Sequence, residues 1–209
     1  MSHFTQRDGE LFVEDIAVSR IAAEVGTPAY IYSQATLRQN ADAFRAGLSA
    51  IASPVHLAFA IKANPNLAVL RVLADAGYGA DVVSVGEMHR ALAAGIPAEH
   101  IVFSGVGKRD DELIAGLEAG IGQFNLEIEE EGAVLAALAA ARGLTAPAVI
   151  RVNPDVDAGT HAKISTGKAE NKFGLAIDQA PAIFDRLAPL PGINLRGVAC
   201  HIGSQLSDL

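Results

Sequence analysis

The sequence has 209 residues, long for one average domain and short for two, and carries a formal net charge of -8 at pH 7. Half of the residues are hydrophobic and 19% are charged, which supplies a large core and argues against general disorder, while the acidic balance excludes a surface built to neutralise nucleic-acid or lipid phosphates. The single cysteine, Cys200, excludes an internal disulfide, no apolar run is long enough for a bilayer, and the amino terminus lacks a secretory signal pattern, so a cytoplasmic protein with a small-molecule partner is expected.

The first 33 residues read differently from the rest. Leu11 to Val13 and Ala29 to Tyr32 have strand character and flank a helix near Ile16 to Val25. A long amphipathic helix follows from about Gln34 to Leu48. From about residue 55, short apolar and β-branched runs alternate with helical periodicity, each bounded by Gly, Pro, Asn or Asp. Strands are expected near Val55 to Ile61, Gly79 to Val83, Ile101 to Phe103, Gln123 to Leu126, Ala148 to Val152 and Leu195 to Ile202. Between them, helices are expected near Leu67 to Ala76, Val85 to Ala94, Asp111 to Ala119, Ile128 to Ala141 and Gln179 to Leu187. Ser84 and Glu87 have capping-box spacing, Asp110 is placed to cap the helix beginning near Asp111, and Gly77, Gly95, Gly120 and Gly143 stand where helices stop. The polar segment Asn153 to Asn171 is too long for an ordinary connection, which marks it as a functional loop.

Continuous apolar strands linked by helices imply a parallel sheet buried on both faces. A closed barrel and an open doubly wound sheet both satisfy the pattern, and the absence of G-x-G-x-x-G after a strand favours the barrel. The expected fold class is α/β: a partial TIM-type (β/α) barrel of about six of the eight βα units over residues 34–209, preceded by a separate unit in residues 1–33. Chemistry in such a barrel belongs at the carboxyl ends of the strands. Lys62, Ser84, Ser104, Asn125, Arg151 with Asn153, and His201 with Ser204 would then share one rim.

Lys62 ends an otherwise apolar strand, so two readings stand: a partly desolvated amine able to attack an aldehyde, or a strand-end lysine that reaches solvent. Arg151 either holds an anion or pairs with a carboxylate such as Asp81, and position alone favours the pair. The ring of His201 can lie against an aromatic cofactor, act as acid or base, or be structural. Ser204, after Gly203, either donates to a phosphate or only shapes a turn. Cys200 is expected to face the helical layer as a small buried hydrophobe. Spacings for a P-loop, a zinc site and a serine-hydrolase elbow are missing, so no metal is expected.

Five segments occur in order: Phe59 to Asn66 (FAIKANPN), Asp81 to Glu87 (DVVSVGE), Ile101 to Lys108 (IVFSGVGK), Arg151 to Gly174, and His201 to Gln205 (HIGSQ). Through them the chain resembles, over nearly its whole length, the diaminopimelate decarboxylases of the alanine racemase-like, fold-type III pyridoxal 5′-phosphate (PLP) enzymes. The resemblance implies that Lys62 holds PLP as a Schiff base, His201 stacks on the cofactor ring and Ser204 contributes to the phosphate site. It also implies that Asp81 and Arg151 line the cofactor pocket. Lys172-Phe173-Gly174 matches a family motif without an assigned role, and Lys163 and Lys168 are read as solvated.

The implied reaction is decarboxylation of meso-2,6-diaminopimelate to L-lysine and carbon dioxide, the last step of bacterial lysine synthesis. An ornithine- or carboxynorspermidine-type decarboxylase is the nearest rival, disfavoured by the Asn153 to His161 run and by Gln205. A non-catalytic PLP-binding regulatory protein, and a βα-barrel oxidoreductase or isomerase without PLP, are readings from other classes. The resembled enzymes continue with further barrel strands and a carboxyl-terminal β domain, to which residues 1–33 would contribute, and they complete the site across a homodimer. The 209 residues are therefore expected to be an amino-terminal fragment, poorly soluble or inactive alone.

Overall fold

The computed structural model describes residues 3–154 and 173–203. The chain opens on a small antiparallel sheet of β1 (Phe4–Arg7), β2 (Glu10–Val13) and β3 (Ile16–Ala17), in that order. Arg7 pairs with Glu10, so only Asp8 and Gly9 turn the hairpin. Both have positive φ, 48° and 82°, the conformation that an Asp-Gly pair supplies to a two-residue hairpin. Helix α1 (Val18–Val25) begins two residues later than its apolar pattern suggests, because Ile16 and Ala17 are taken up in pairing with Val13 and Phe12. The strand expected at Ala29 to Tyr32 does not form; strand-like residues make a ladder only beside a partner, and this segment has none.

The small sheet is tied to the first turn of α2 (Gln34–Gly47). Ser33 Oγ caps the helix by accepting from the Thr36 N–H at 3.0 Å. The Glu14 carboxylate accepts from the Ala35 N–H at 2.9 Å and the Ser33 hydroxyl at 2.8 Å, and the His3 N–H donates to Thr36 Oγ1 at 3.2 Å. Those hydrogen bonds hold Glu14 below the ordinary carboxylate value, Ala35 contributing most and Ser33 next.

The remaining elements alternate: β4 (Ala58–Ala60), α3 (Leu67–Asp75), β5 (Gly79–Val82), α4 (Val85–Ala93), β6 (Ile101–Phe103), α5 (Asp110–Ala119), β7 (Gln123–Leu126), α6 (Glu129–Ala140), β8 (Ala146–Asn153), β9 (Leu175–Ala176), α7 (Ala180–Leu187) and β10 (Ile193–Cys200). The strands lie in the order β10-β8-β7-β6-β5-β4, all parallel, with β9 beside the end of β8. Sequential order, parallel pairing and one helix after each strand are the arrangement of a (β/α) barrel. Among the described residues β4 and β10 remain edges. Residues from both edges nevertheless line common cavities at each end of the strands, so the sheet is rolled rather than flat.

The core lies between the central strands and their helices. Phe103 and Phe124, with ring centres 6.4 Å apart, pack with Ile101, Leu126, Leu135, Ile150 and Leu187, all of them buried. Each such side chain contributes about 1.5–3 kcal/mol by leaving water. A smaller cluster of Ala41, Val69, Leu73 and Tyr78 fastens α2 to α3, and the Tyr78 hydroxyl donates to the Ala41 carbonyl at 2.9 Å.

Local details differ from the sequence expectation in four places. Strand β4 is shorter than Val55 to Ile61, and its end winds into a 3-10 turn over Ile61–Ala63. Ser84 does cap α4, but the Glu87 carboxylate takes the Val83 N–H at 2.9 Å, one residue ahead of the cap. Asp110 is the first residue of α5 rather than its cap; Arg109 stands there, its N–H donating to Glu112 at 3.2 Å. Cys200 is exposed, because side chains alternate along edge strand β10 and Cys200 shares the exposed face with Asn194, Arg196 and Val198, while Ile193 and Leu195 take the covered one. The long loop expected over Asn153 to Asn171 lies, after Pro154, outside the described residues.

Candidate functional site

The carboxyl ends of the strands meet in a cavity of about 450 Å3. Ala60 and Lys62 enter it from β4 and its turn, Asp81 and Val83 from β5, and Ser104 and Gly105 from β6. Asn125 comes from β7, Arg151 from β8, and Ala199, Cys200 and His201 from the end of β10. Of the residues expected on the rim, Lys62, Ser104, Asn125, Arg151 and His201 come together here, joined by Asp81, which the family resemblance puts at the pocket. Ser84 is turned to its helix cap instead, buried Asn153 is not part of this wall, and Ser204 lies outside the described residues.

Lys62 is exposed rather than enclosed. It projects from the 3-10 turn after β4, which among the described residues is an edge strand with one side uncovered. Asp81 is approached from the middle of the sheet by a row of polar groups. The Gln123 amide donates to Asn125 at 2.7 Å, the Asn125 amide to Ser104 Oγ at 2.8 Å, and the Ser104 hydroxyl to Asp81. Those bonds aim the Ser104 proton at the carboxylate and hold it as an acceptor in the cavity wall.

Arg151 forms an ion pair, but not with Asp81. Its Nη1 donates to Glu127 Oε1 at 2.6 Å, and the side chains are 13% and 3% exposed. Strand β7 runs directly into Glu127, which brings that carboxylate beside β8, whereas Asp81 is two strands farther away. Behind it, the Glu127 N–H donates to Glu131 at 2.8 Å, and Glu131 pairs with Lys108 at 2.6 Å. Lys108 also donates to the Gly105 and Asn125 carbonyls, at 2.7 and 2.8 Å. On its other side, the Arg151 guanidinium lies 5.7 Å from the centre of the Phe173 ring. Phe173 and Gly174 thereby gain a structural place, while Lys172 lies outside the described residues.

His201 responds to this assembly. Burial, then the nearby Arg151 and Lys62 cations, push it below the ordinary histidine value, partly offset by Asp81 and Glu127. Its neutral ring is therefore favoured near pH 7.

Glu127 and Glu131 were missed in the sequence, and Phe173 figures there only as part of a motif without a role. A signal existed for Glu127, since it directly follows the apolar strand ending at Leu126, as Arg151 follows Ile150. Its pairing across two strands is a tertiary fact. A second cavity, of about 410 Å3, lies at the opposite ends of the strands, among His56, His100, Arg45 and Arg196. In barrels that face serves stability rather than chemistry.

Comparison with known proteins places this geometry in a family. Residues 34–209 match the family model described as "Pyridoxal-dependent decarboxylase, pyridoxal binding domain". The whole chain is 52% identical to a diaminopimelate decarboxylase of Pseudomonas aeruginosa and 50% identical to one of Zymomonas mobilis, in each case covering 50% of the relative. Its structure superposes on the diaminopimelate decarboxylase of M. jannaschii in co-complex with L-lysine with a TM-score of 0.87 at 38% identity, covering 98% of this chain and 49% of that one. The chain spans about half the length of the curated relatives it matches.

Proposed function

Because the chain belongs to the pyridoxal-dependent decarboxylases, we propose that the whole protein decarboxylates meso-2,6-diaminopimelate to L-lysine with PLP as its cofactor. The observation that carries this reading is the convergence of Lys62, Asp81, Arg151 and His201 on one cavity from both edges of the sheet. At about 450 Å3 the cavity is of the size that holds a small-molecule cofactor. Its groups also fit PLP chemically: an amine for the aldehyde, a guanidinium for an anion, and an imidazole favoured in its neutral form for the aromatic face.

In this reading Lys62, an amine on the cavity wall, would hold the cofactor through its aldehyde group. His201 supports the ring with a neutral face, which adds no positive charge to a wall that already holds Arg151. Asp81 offers an acceptor fixed by Ser104, and Ser204 donates to the phosphate. When bound, PLP supplies the electron sink for the carbanion left by carbon dioxide.

The division of the chain belongs to the same proposal. Residues 34–209 form the cofactor-binding part of a (β/α) barrel, and the antiparallel sheet in residues 1–33 supports their assignment to a β domain. The protein would act as a cytoplasmic homodimer. No described helix is long and apolar enough to cross a membrane.

The test uses the intact protein and PLP. A visible absorbance band of lysine-bound cofactor should form and disappear in Lys62→Ala, and carbon dioxide should be released from meso-diaminopimelate in preference to ornithine. A band that persists in Lys62→Ala would remove the site assignment, and equal release from ornithine would remove the substrate assignment. A lysine-dependent band with no release from any diamino acid would leave the regulatory reading in its place.

A further inference from the structure

We propose that Glu127 is a positioning residue that fixes the Arg151 guanidinium in the cavity wall, and that Glu131 and Lys108 in turn fix Glu127. The inference rests on the reading of this cavity as the cofactor site.

Arg151 carries a long side chain whose many rotamers cost entropy to freeze. The structure restrains it three times over. Its backbone lies in β8, between β7 and β10. Its guanidinium faces the Phe173 ring at 5.7 Å, and its Nη1 meets Glu127 Oε1 at 2.6 Å. Among the described residues the contact with Glu127 is through one nitrogen, a geometry in which the other nitrogens of the fork can meet an anionic group in the cavity.

Glu127 needs anchoring itself, since it stands between the end of β7 and the start of α6. That anchor is the Glu131 carboxylate. One of its oxygens receives the Glu127 N–H and the other receives Lys108, whose ammonium is pinned on the carbonyls of Gly105 and Asn125. A continuous polar chain therefore runs from the β6–α5 turn to the cavity wall.

Stability alone does not account for this arrangement. The second oxygen of Glu127, Oε2, is buried without a hydrogen-bond partner among the described residues. An unsatisfied buried carboxylate oxygen costs free energy, and a pair of apolar side chains of similar volume would avoid that cost. What the ion pair provides, and an apolar pair would not, is a guanidinium held in one place.

The experiment measures Arg151 side-chain order by arginine Nε–Hε NMR relaxation in the intact protein without cofactor, and the PLP dissociation constant by absorbance. In the wild-type protein Arg151 should be as ordered as the surrounding backbone. In Glu127→Gln its order should fall and the PLP dissociation constant should rise about tenfold, while Glu129→Gln, which breaks the exposed pair with Arg186, should change neither. Glu127→Asp keeps the charge on a shorter stem and should give an intermediate loss of order; it is decisive if the glutamine variant does not fold. A mobile Arg151 in the wild type overturns the proposal, as does unchanged order in a folded Glu127 variant. Failure of the proposed function shows separately, as absence of the Lys62-dependent band in wild-type protein, because Arg151 order is read without PLP.

Discussion

Lys62 and His201 stand at the ends of the two edge strands of the sheet, β4 and β10, and yet they face one cavity, where the lysine's charge helps to depress the histidine's proton affinity. Two residues 139 positions apart in the chain thus report on each other through the rolling of the sheet.

That relationship sets the first prediction. Lys62→Ala removes one of the cations that hold His201 down, so its titration should move up toward the ordinary value, and Arg151→Met should move it up as well. NMR titration of the His201 ring checks both, and no movement in either variant would separate the two strand ends. The stability consequence has a definite sign. With the folded value lowered, the unfolded chain binds the proton more readily, so stability falls as the pH drops below about 6.5 and through the lowered value. Above about 6.5 this contribution is silent.

Glu14 carries a dependence of the same sign at lower pH. Its carboxyl is lowered by the Ala35 N–H and then by the Ser33 hydroxyl, so its contribution is present above about 4.3 and is lost as the pH falls through its folded value. Glu14→Ala should cost about 1 kcal/mol near neutrality, as loss of a helix cap does, and should flatten the acid limb of the melting curve. An unchanged melting profile between pH 6 and about 3 would show that the sheet is not held to α2 this way.

The Lys108–Glu131 pair is almost fully enclosed, at 2% and 8% side-chain exposure. Lys108→Met leaves Glu131 buried without its cation and should cost about 3–5 kcal/mol in chemical denaturation. Adding Glu131→Leu should recover much of that loss. A single variant within about 0.5 kcal/mol of wild type would mean that water reaches the site.

Two glycines should respond to alanine with opposite signs. A Cβ on Gly122 would run into the backbone carbonyl of Glu99, which cannot turn away as a side chain can. Gly122→Ala should lower stability by at least about 1–3 kcal/mol. Gly47, the last residue of α2, has open space around its Cβ position, and Gly47→Ala should raise stability by about 0.5–1 kcal/mol. Thermal melts of both variants test the packing directly.

Much of the barrel was legible because its signals are local. Helix α3 follows Asn66, whose side chain caps it, and α5 stops at Gly120 with φ of 69°. The apolar runs of β6 and β7 were placed to the residue. The amino-terminal sheet was less legible. Asp8-Gly9 announces its hairpin, but Phe4–Arg7 has no apolar alternation, and the aromatic run at Ala29 to Tyr32 reads as a strand without becoming one. Ladder formation needs a partner edge, which no single segment encodes.

The sequence by itself determined the alternation of strands and helices, the parallel sheet and the rim on which Lys62, Ser104, Asn125, Arg151 and His201 lie, because periodicity and strand-end position depend on neighbours along the chain. Only the tertiary structure decided the partners. Arg151 meets Glu127 rather than Asp81, Ser104 turns to Asp81, Cys200 is exposed on the cavity wall and Lys62 stands exposed at the cavity mouth. Charges pair according to distance across the sheet, and that distance is set by strand order and register rather than by spacing along the chain.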